Sequence, residues 1–314
     1  MAEIEVWRAI REQLAAGRDC ALLAVADSHG SSPGKTGALM AVLADGPLAG
    51  TIGGGRVEAE RVTAAMTALK SGAFTPGLVK RTHRPDSADA SGMICGGGQT
   101  VVSALLRPSQ LLLVEQMLAM LDAGGQAVWC LTNGGWTLLR EKAETGLTLI
   151  GTDWRYVHRS GCRESVWLVG GGHVSLALSR LLRPLEFRVT VIEERSGIRS
   201  FADNAFAHER LCAPYETLAN LIPEGDRHYV AVMTHSHDRD AAALAALQGR
   251  HYGYLGLLGS RRKVHELLGE RPYPAHIHAP MGMPVGSVTP EEIAVSIAAE
   301  MVAVRHGKTF GIPS

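Results

Sequence analysis

The sequence predicts an α/β protein of two domains, an N-terminal α+β domain followed by a doubly wound parallel sheet, and three observations carry that prediction. At 314 residues the chain outruns one small core, and two domains of about 150 residues are expected. From Val166 onward strand and helix patterns alternate, which favours a parallel sheet with crossover helices. Before that point short apolar runs are joined at hairpin signals.

The opening stretch MAEIEVWRAIREQLAAG mixes Glu and Arg among its apolar positions and ends at Gly17, an amphipathic helix rather than a secretion signal. CALLAVADSHG reads as a buried strand running into a turn, and SSPGKTGALMAVLADGPLAGTIGGG as further strands joined at Asp45-Gly46. RVEAERVTAAMTALKSG sets Val62, Met66 and Leu69 on one helical face, with Gly72 as its stop. TVVSALLRP is a strand ended by proline, residues 109–123 are helical, and AVWCLTNGGWTLL forms two short strands about Asn133-Gly134. The segment DWRYVHRSGCRES, residues 153–165, is polar, turn-rich and without period. The boundary is therefore placed there, giving domains over residues 1–160 and 161–314. In the second domain VWLVG, FRVTVIE, HYVAVMT and YGYLGLLG read as strands, and HVSLALSRLL and DAAALAALQ as helices. The last helix, TPEEIAVSIAAEMVAVRHG, has Thr289 as N-cap, Pro290 at its first position, Glu292 closing a capping box and Gly307 as stop.

Composition narrows the function. Hydrophobic residues make up 46% and charged residues 20%, with 31 basic against 31 acidic side chains, so broad nucleic-acid binding by charge is not expected. No apolar run reaches the roughly 18 residues that span a bilayer, and no membrane partner is expected. The five cysteines, Cys20, Cys95, Cys130, Cys162 and Cys212, are odd in number and lack any C-x-x-C. Neither a disulfide framework nor a structural zinc site follows, and a reducing cytoplasm fits best.

Three glycine triplets stand out: Gly53, Gly54, Gly55; Gly96, Gly97, Gly98; and Gly170 to Gly172. In the third, Gly170, Gly172 and Ser175 fill the G-x-G-x-x-[small] positions between a strand and a helix that starts at His173, and Glu193 follows Gly170 by 23 residues. That spacing is the fingerprint of a Rossmann-like domain, where an acidic residue meets a ribose hydroxyl. The first triplet lies between strand and helix and aims free backbone N–H groups at an anion, or else makes a tight turn with close helix packing. Cys95 precedes the second triplet, and its thiol either packs as a small hydrophobe or holds a soft ligand. In THSHDRD, His235, His237, Asp238 and Asp240 end a strand. The pattern lacks the further histidine of a dinuclear hydrolase, so no dinuclear metal is expected, but strand ends of such sheets face the ligand crevice. Gly259, Ser260 and Arg261 in LLGSRRK begin a helix and suit an anion, or else form a solvated helix start. His276 and His278 read as surface or hydrogen-bonding residues. Nucleophilic catalysis finds little support, since SHGSSPG has hydroxyls without an evident base beside them.

Taken in order, GSSPGKTGALM, GTIGGGRVEAE, CGGGQTVV, GGGHVSLAL, THSHDRD, YLGLLGSRRK and HAPMGMPVGSVTPEEIAVSIAAEMVAVRHG resemble the xanthine dehydrogenase accessory family, XdhC/CoxI, across almost the whole chain. Two departures are Glu193, where the family pattern has Asp, and the loop Pro33-Gly34-Lys35, whose basic residue lies farther from the proline. The resemblance implies an XdhC/CoxI-type first domain and a Rossmann-like second one. It implies a maturation chaperone, rather than a catalyst in its own right, that binds molybdenum cofactor as molybdopterin or its cytosine dinucleotide. Such a chaperone assists sulfuration of the cofactor with a cysteine desulfurase and delivers it to an apo molybdenum hydroxylase. A homodimer and a nucleotide in the Rossmann crevice are further expectations. In this reading Cys95 handles the cofactor or its sulfur, with a direct molybdenum contact, and the glycine turns cradle its phosphate. Two other readings stay open: an NAD(P)-dependent oxidoreductase using His235 or His237, and a structural adaptor with an empty crevice.

Overall fold

In the first unit, Met1–Gly161, helix α1 (Glu3–Ala15) leads into strands β1 (Cys20–Gly30), β2 (Leu39–Leu43) and β3 (Gly46–Gly50), helix α2 (Gly55–Ser71), and strands β4 (Gly77–His83) and β5 (Gly97–Leu106). Helix α3 (Leu111–Asp122) and strands β6 (Gln126–Thr132), β7 (Gly135–Leu139), β8 (Gly146–Ile150) and β9 (Asp153–Gly161) complete it. The strands form two antiparallel sheets, ordered β3-β2-β1-β5-β4 and β7-β6-β9-β8. The computed structural model describes residues 3–30, 32–83, 97–141, 143–269 and 277–308; Cys95, Gly96 and His276 lie outside the described residues.

Strand β1 is apolar along most of its length because both its faces are covered. Leu22, Ala24 and Ala26 join Trp7, Ile10 and Leu14 of α1 in one core, whereas Ala21, Leu23 and Val25 join Val62, Met66 and Leu69 of α2 in another. The two-residue turns lie at Ala44-Asp45 and Asn133-Gly134, and Gly72 closes α2 with φ 67°.

Residues 153–161 correct the sequence reading: they form β9, not a linker. Trp154, Tyr156, His158 and Ser160 alternate inward and are all buried. The polar members of that face are satisfied from far away in the chain. Glu3 of α1 accepts from Ser160 Oγ, lies 3.4 Å from His158 Nε2, and accepts from Trp7 Nε1 at 3.3 Å. Trp129 Nε1 donates to Ser160 Oγ at 2.7 Å. A buried polar group with its partners in place is compatible with a core strand.

The second unit, Cys162–Ser314, runs β10 (Glu164–Val169), α4 (His173–Leu182), β11 (Phe187–Glu193), α5 (Arg199–Ala202), β12 (Glu209–Cys212), α6 (Leu218–Leu221), β13 (Gly225–Val232), α7 (His237–Ala246), β14 (Tyr252–Leu257), α8 (Arg261–Leu268), β15 (Ile277–His278) and α9 (Pro290–Arg305). Its strands are all parallel in the order β12-β11-β10-β13-β14-β15. The order reverses between β10 and β13, which is the switch point of a dinucleotide-binding sheet. Both faces are covered: Val166 and Leu168 pack with α4 and α9, and Val230 and Val232 with α6, α7 and α8. The expected capping box of α9 is present, Thr289 Oγ1 accepting from the Glu292 amide at 3.2 Å and Glu292 Oε2 from the Thr289 amide at 3.0 Å.

Candidate functional site

Three of the motifs in the first unit meet at one place. The β3–α2 turn, residues 51–54, packs against the loop Ser32 to Thr36 so closely that a Cβ on Gly34 would sit 2.0 Å from the Ile52 carbonyl oxygen, and one on Gly53 would sit 2.2 Å from the Gly34 nitrogen. Only glycine tolerates that approach, and Gly53 also needs φ 117°. From β5, Gln99 Nε2 donates to the same Ile52 carbonyl at 2.7 Å. Gln99 is 1% exposed, and its Oε1 has no hydrogen-bond partner among the described residues.

The amides of the turn are not free, contrary to the expectation from its sequence. Glu58, one turn into α2, folds back so that its Oε2 accepts from Ile52 N at 2.8 Å, Gly54 N at 3.0 Å and Thr51 Oγ1 at 2.5 Å. Gly53 N donates to Thr51 Oγ1 at 3.0 Å. Burial raises the carboxyl pKa, but the bonds from Thr51, Gly54 and Ile52 outweigh it and hold Glu58 below the ordinary value. A carboxylate in a ring of amides is what a helix N-terminus favours; here the anion comes from the chain itself. Glu58 and Gln99 lie inside GTIGGGRVEAE and CGGGQTVV, but the glycines of those motifs, not these two side chains, signal a site. The available signal is an acid four residues after Gly54, at the distance from which a first-turn side chain can reach back.

Gly97 and Gly98 also differ from expectation. They belong to β5, not to a turn, with Gly97 opposite Gly30 and His83 and Gly98 opposite His29 and Thr82. The His29 ring covers Gly98, where a Cβ would lie 2.2 Å from the imidazole. The glycines make room for a side chain and extend the ladder.

In the second unit Gly170 has φ 110°, and a Cβ there would meet the Met233 carbonyl oxygen at 2.4 Å. The β10–α4 turn thus abuts the end of β13, bringing the glycine fingerprint beside the THSHDRD segment. Gly172 is the N-cap of α4 and its neighbourhood is open, with His173 exposed beyond it. Ser175 is buried, as close packing at the third small position requires.

Glu193 does not take the ribose-facing position that its spacing suggests. Its side chain has 0% exposure. Oε2 accepts from Gly171 N at 2.9 Å and Arg195 Nη2 at 3.1 Å, and Oε1 from Arg195 Nε at 2.9 Å, the Arg195 amide at 3.1 Å and Tyr215 OH at 3.3 Å. Burial pushes its pKa up, but the Arg195 guanidinium and the Gly171 and Arg195 amides bring it down to about 2. The carboxylate therefore braces the glycine turn.

Asp240 is likewise committed internally. It is wholly buried, accepts from Thr234 N at 3.0 Å and Thr234 Oγ1 at 2.7 Å, and pairs with Lys263 Nζ. Lys263 also donates to the Leu258 carbonyl at 3.0 Å. This pair joins THSHDRD to LLGSRRK, a link invisible in the sequence because Lys263 lies inside a run of surface-like basic residues. His235 and His237 are exposed, His237 Nε2 lying 3.6 Å from Glu266. Ser260 caps α8 by accepting from the Lys263 amide at 3.2 Å; Gly259 packs on the Lys263 stem and Arg261 is exposed. His278 donates or accepts at Nδ1 with Glu300 at 3.1 Å, and Glu300 also accepts from Tyr254 OH and the Gly282 amide, each at 2.7 Å. Among the described residues no cluster of three or more His, Cys, Asp or Glu side chains is arranged to hold a metal ion. Nor is any helix among them long and apolar enough to cross a membrane.

Strand order and glycine turn make the second unit a Rossmann domain. A sequence model described as the XdhC Rossmann domain matches residues 166–301, and one described as the XdhC and CoxI family matches residues 13–80. The chain belongs to the XdhC and CoxI family. Among curated proteins it is 28% identical over 304 residues to YqeB of Escherichia coli K12, covering 93% of this chain and 44% of that protein. It is 27% identical over 150 residues to a probable xanthine dehydrogenase subunit of Bacillus subtilis 168, covering 48% of this chain and 46% of that one. The chain thus spans under half the length of both. It is 26% identical over 315 residues to the molybdenum cofactor insertion chaperone PaoD of Escherichia coli K12, covering 94% of this chain and 86% of PaoD. The crystal structure of a xanthine dehydrogenase from Bacillus halodurans shares the fold, with TM-score 0.73 and 22% identity over 98% of this chain and 97% of that one.

Proposed function

We propose that this chain is a chaperone that binds molybdenum cofactor, assists its sulfuration and inserts it into an apo molybdenum hydroxylase of the xanthine dehydrogenase or aldehyde oxidase type. The observation that carries the reading is the nearly end-to-end match to PaoD, which spans both units. The first-unit geometry fits a cofactor with an anionic end and a hydrogen-bonding pterin. The amides of Ile52 and Gly54 already hold an oxyanion, and the buried Gln99 Oε1 is an acceptor beside them. Cys95, two residues before β5, supplies the soft donor suited to a thiophilic metal or its sulfur. A cysteine desulfurase is the source of that sulfur.

The oxidoreductase reading draws on the glycine fingerprint and on a Glu193 free to meet a ribose; the glycine turn is in place, but Glu193 is occupied by Arg195, Gly171 and Tyr215. A nucleotide bound by the second unit in its own right would instead meet the open Gly172 and the exposed His173, His235 and Arg261. The reading is tested by reconstitution. Purified apo-hydroxylase is mixed with cofactor in the presence and absence of this chain, and activity is followed with and without the desulfurase and cysteine. Faster recovery that requires this chain and is reduced in Cys95→Ala supports the proposal; recovery indifferent to the chain removes it.

A further inference from the structure

The Glu58 carboxylate occupies the position that a ligand oxyanion takes at such a turn, with three donors on one oxygen. Beside it Gln99 is buried and tied by Nε2 to the carbonyl of the same turn, while its Oε1 is unpartnered among the described residues. A buried acceptor without a donor costs free energy in the folded protein unless a ligand brings one. The surroundings favour anions: Arg56 pairs with Glu60 at 2.9 Å and Arg81 with Glu60 at 3.2 Å, and Lys35 reaches the Gly30 carbonyl at 3.5 Å. Arg56 and Arg81 thus share one carboxylate, and Lys35 reaches a backbone carbonyl.

Resting on the cofactor-binding reading above, we propose that Glu58 is a built-in competitor for a phosphate site. A phosphate monoester or diphosphate displaces the carboxylate from the Ile52 and Gly54 amides, and a donor on the same ligand satisfies Gln99 Oε1. The tether gives Glu58 a high effective concentration, so simple phosphate binds weakly and a ligand with further contacts binds well. The device therefore selects against free phosphate while keeping the amides pre-formed, and it frees the ligand's phosphate when the carboxylate returns. Displacement requires α2 to keep its start, which the strained glycines and the Gly34 contact provide independently of Glu58.

The test uses the full chain and inorganic diphosphate as probe, by calorimetric titration of the parent, Glu58→Gln and Glu58→Ala. Circular dichroism and the thermal midpoint establish that each is folded. Removing a charged competitor that holds several hydrogen bonds raises diphosphate affinity by roughly tenfold or more. Affinity equal to or below that of the parent in a folded variant overturns the proposal. If neither variant folds, the ¹⁵N-labelled parent decides: diphosphate shifts the Ile52 and Gly54 amide resonances, and resonances that stay fixed up to the solubility limit overturn it. Molybdenum retention by the parent is measured separately. Retained molybdenum without a Glu58 effect sinks this inference alone, and absent molybdenum sinks the reading beneath it.

Discussion

Replacing Glu193 with Gln should destabilise the second unit, and the loss should fade as the pH falls. The carboxylate is fully buried and its pKa lies at about 2, against an ordinary 4.5. A depressed carboxyl pKa contributes stability that is complete above the unfolded value and is lost as pH falls through the folded value. The window here therefore runs from about 4.5 down to about 2. A fall from 4.5 to about 2 corresponds to about 3 kcal/mol, at about 1.4 kcal/mol per pH unit. Arg195 is 38% exposed, so solvent screening brings this to about 2 kcal/mol. Urea titration of the full chain followed by circular dichroism at pH 7, 4 and 3 measures the gap between parent and variant. Hydrogen exchange at the Gly171 amide localises the effect. The gap should be largest at pH 7 and should narrow below pH 4.5. A gap under roughly 0.5 kcal/mol at pH 7, or one that widens on acidification, refutes the assignment of Glu193 as the brace of the turn.

The glycines separate by what a methyl group would meet. Gly34→Ala drives a Cβ to 2.0 Å from the Ile52 carbonyl oxygen and should lower stability by about 2 kcal/mol or more. Gly146→Ala in the same unit meets nothing within 4 Å and has no left-handed φ, and should change stability by under about 1 kcal/mol; thermal melts of the two variants that rank in the opposite order would contradict the packing described. Asp240→Ala removes the counter-charge of Lys263 and leaves the Thr234 amide without its acceptor, a loss of about 3 kcal/mol. Hydrogen exchange at the Thr234 amide should rise with it, and the double variant Asp240→Leu with Lys263→Met should recover most of the stability.

Elements whose determinants are local were legible in the sequence. The Asn133-Gly134 hairpin, the Gly72 stop and the Thr289 capping box each depend on a few neighbouring residues, and the structure reproduces them; the hairpin expected at Asp45-Gly46 turns one residue earlier, at Ala44-Asp45. The parallel sheet was legible because its strands are buried on both faces and alternate with helices. Strand β9 was not, because its inward face carries His158 and Ser160, which become core residues only through Glu3, more than 150 positions earlier. The fingerprint spacing located Glu193 correctly but could not show that Arg195 and Tyr215 would claim both its oxygens. Similarly, the glycine turn after β3 was recognisable as an anion cradle, whereas its occupant, Glu58, reads as an ordinary surface acid of an amphipathic helix.

The most direct measurement is the molybdenum and pterin content of this chain, purified in the cold from cells that make the cofactor. The account predicts molybdenum and pterin retained in equal amounts, and depleted when Cys95→Ala is combined with Gly53→Ala. Protein that is folded and free of both, from cells whose hydroxylases are fully loaded, would contradict it.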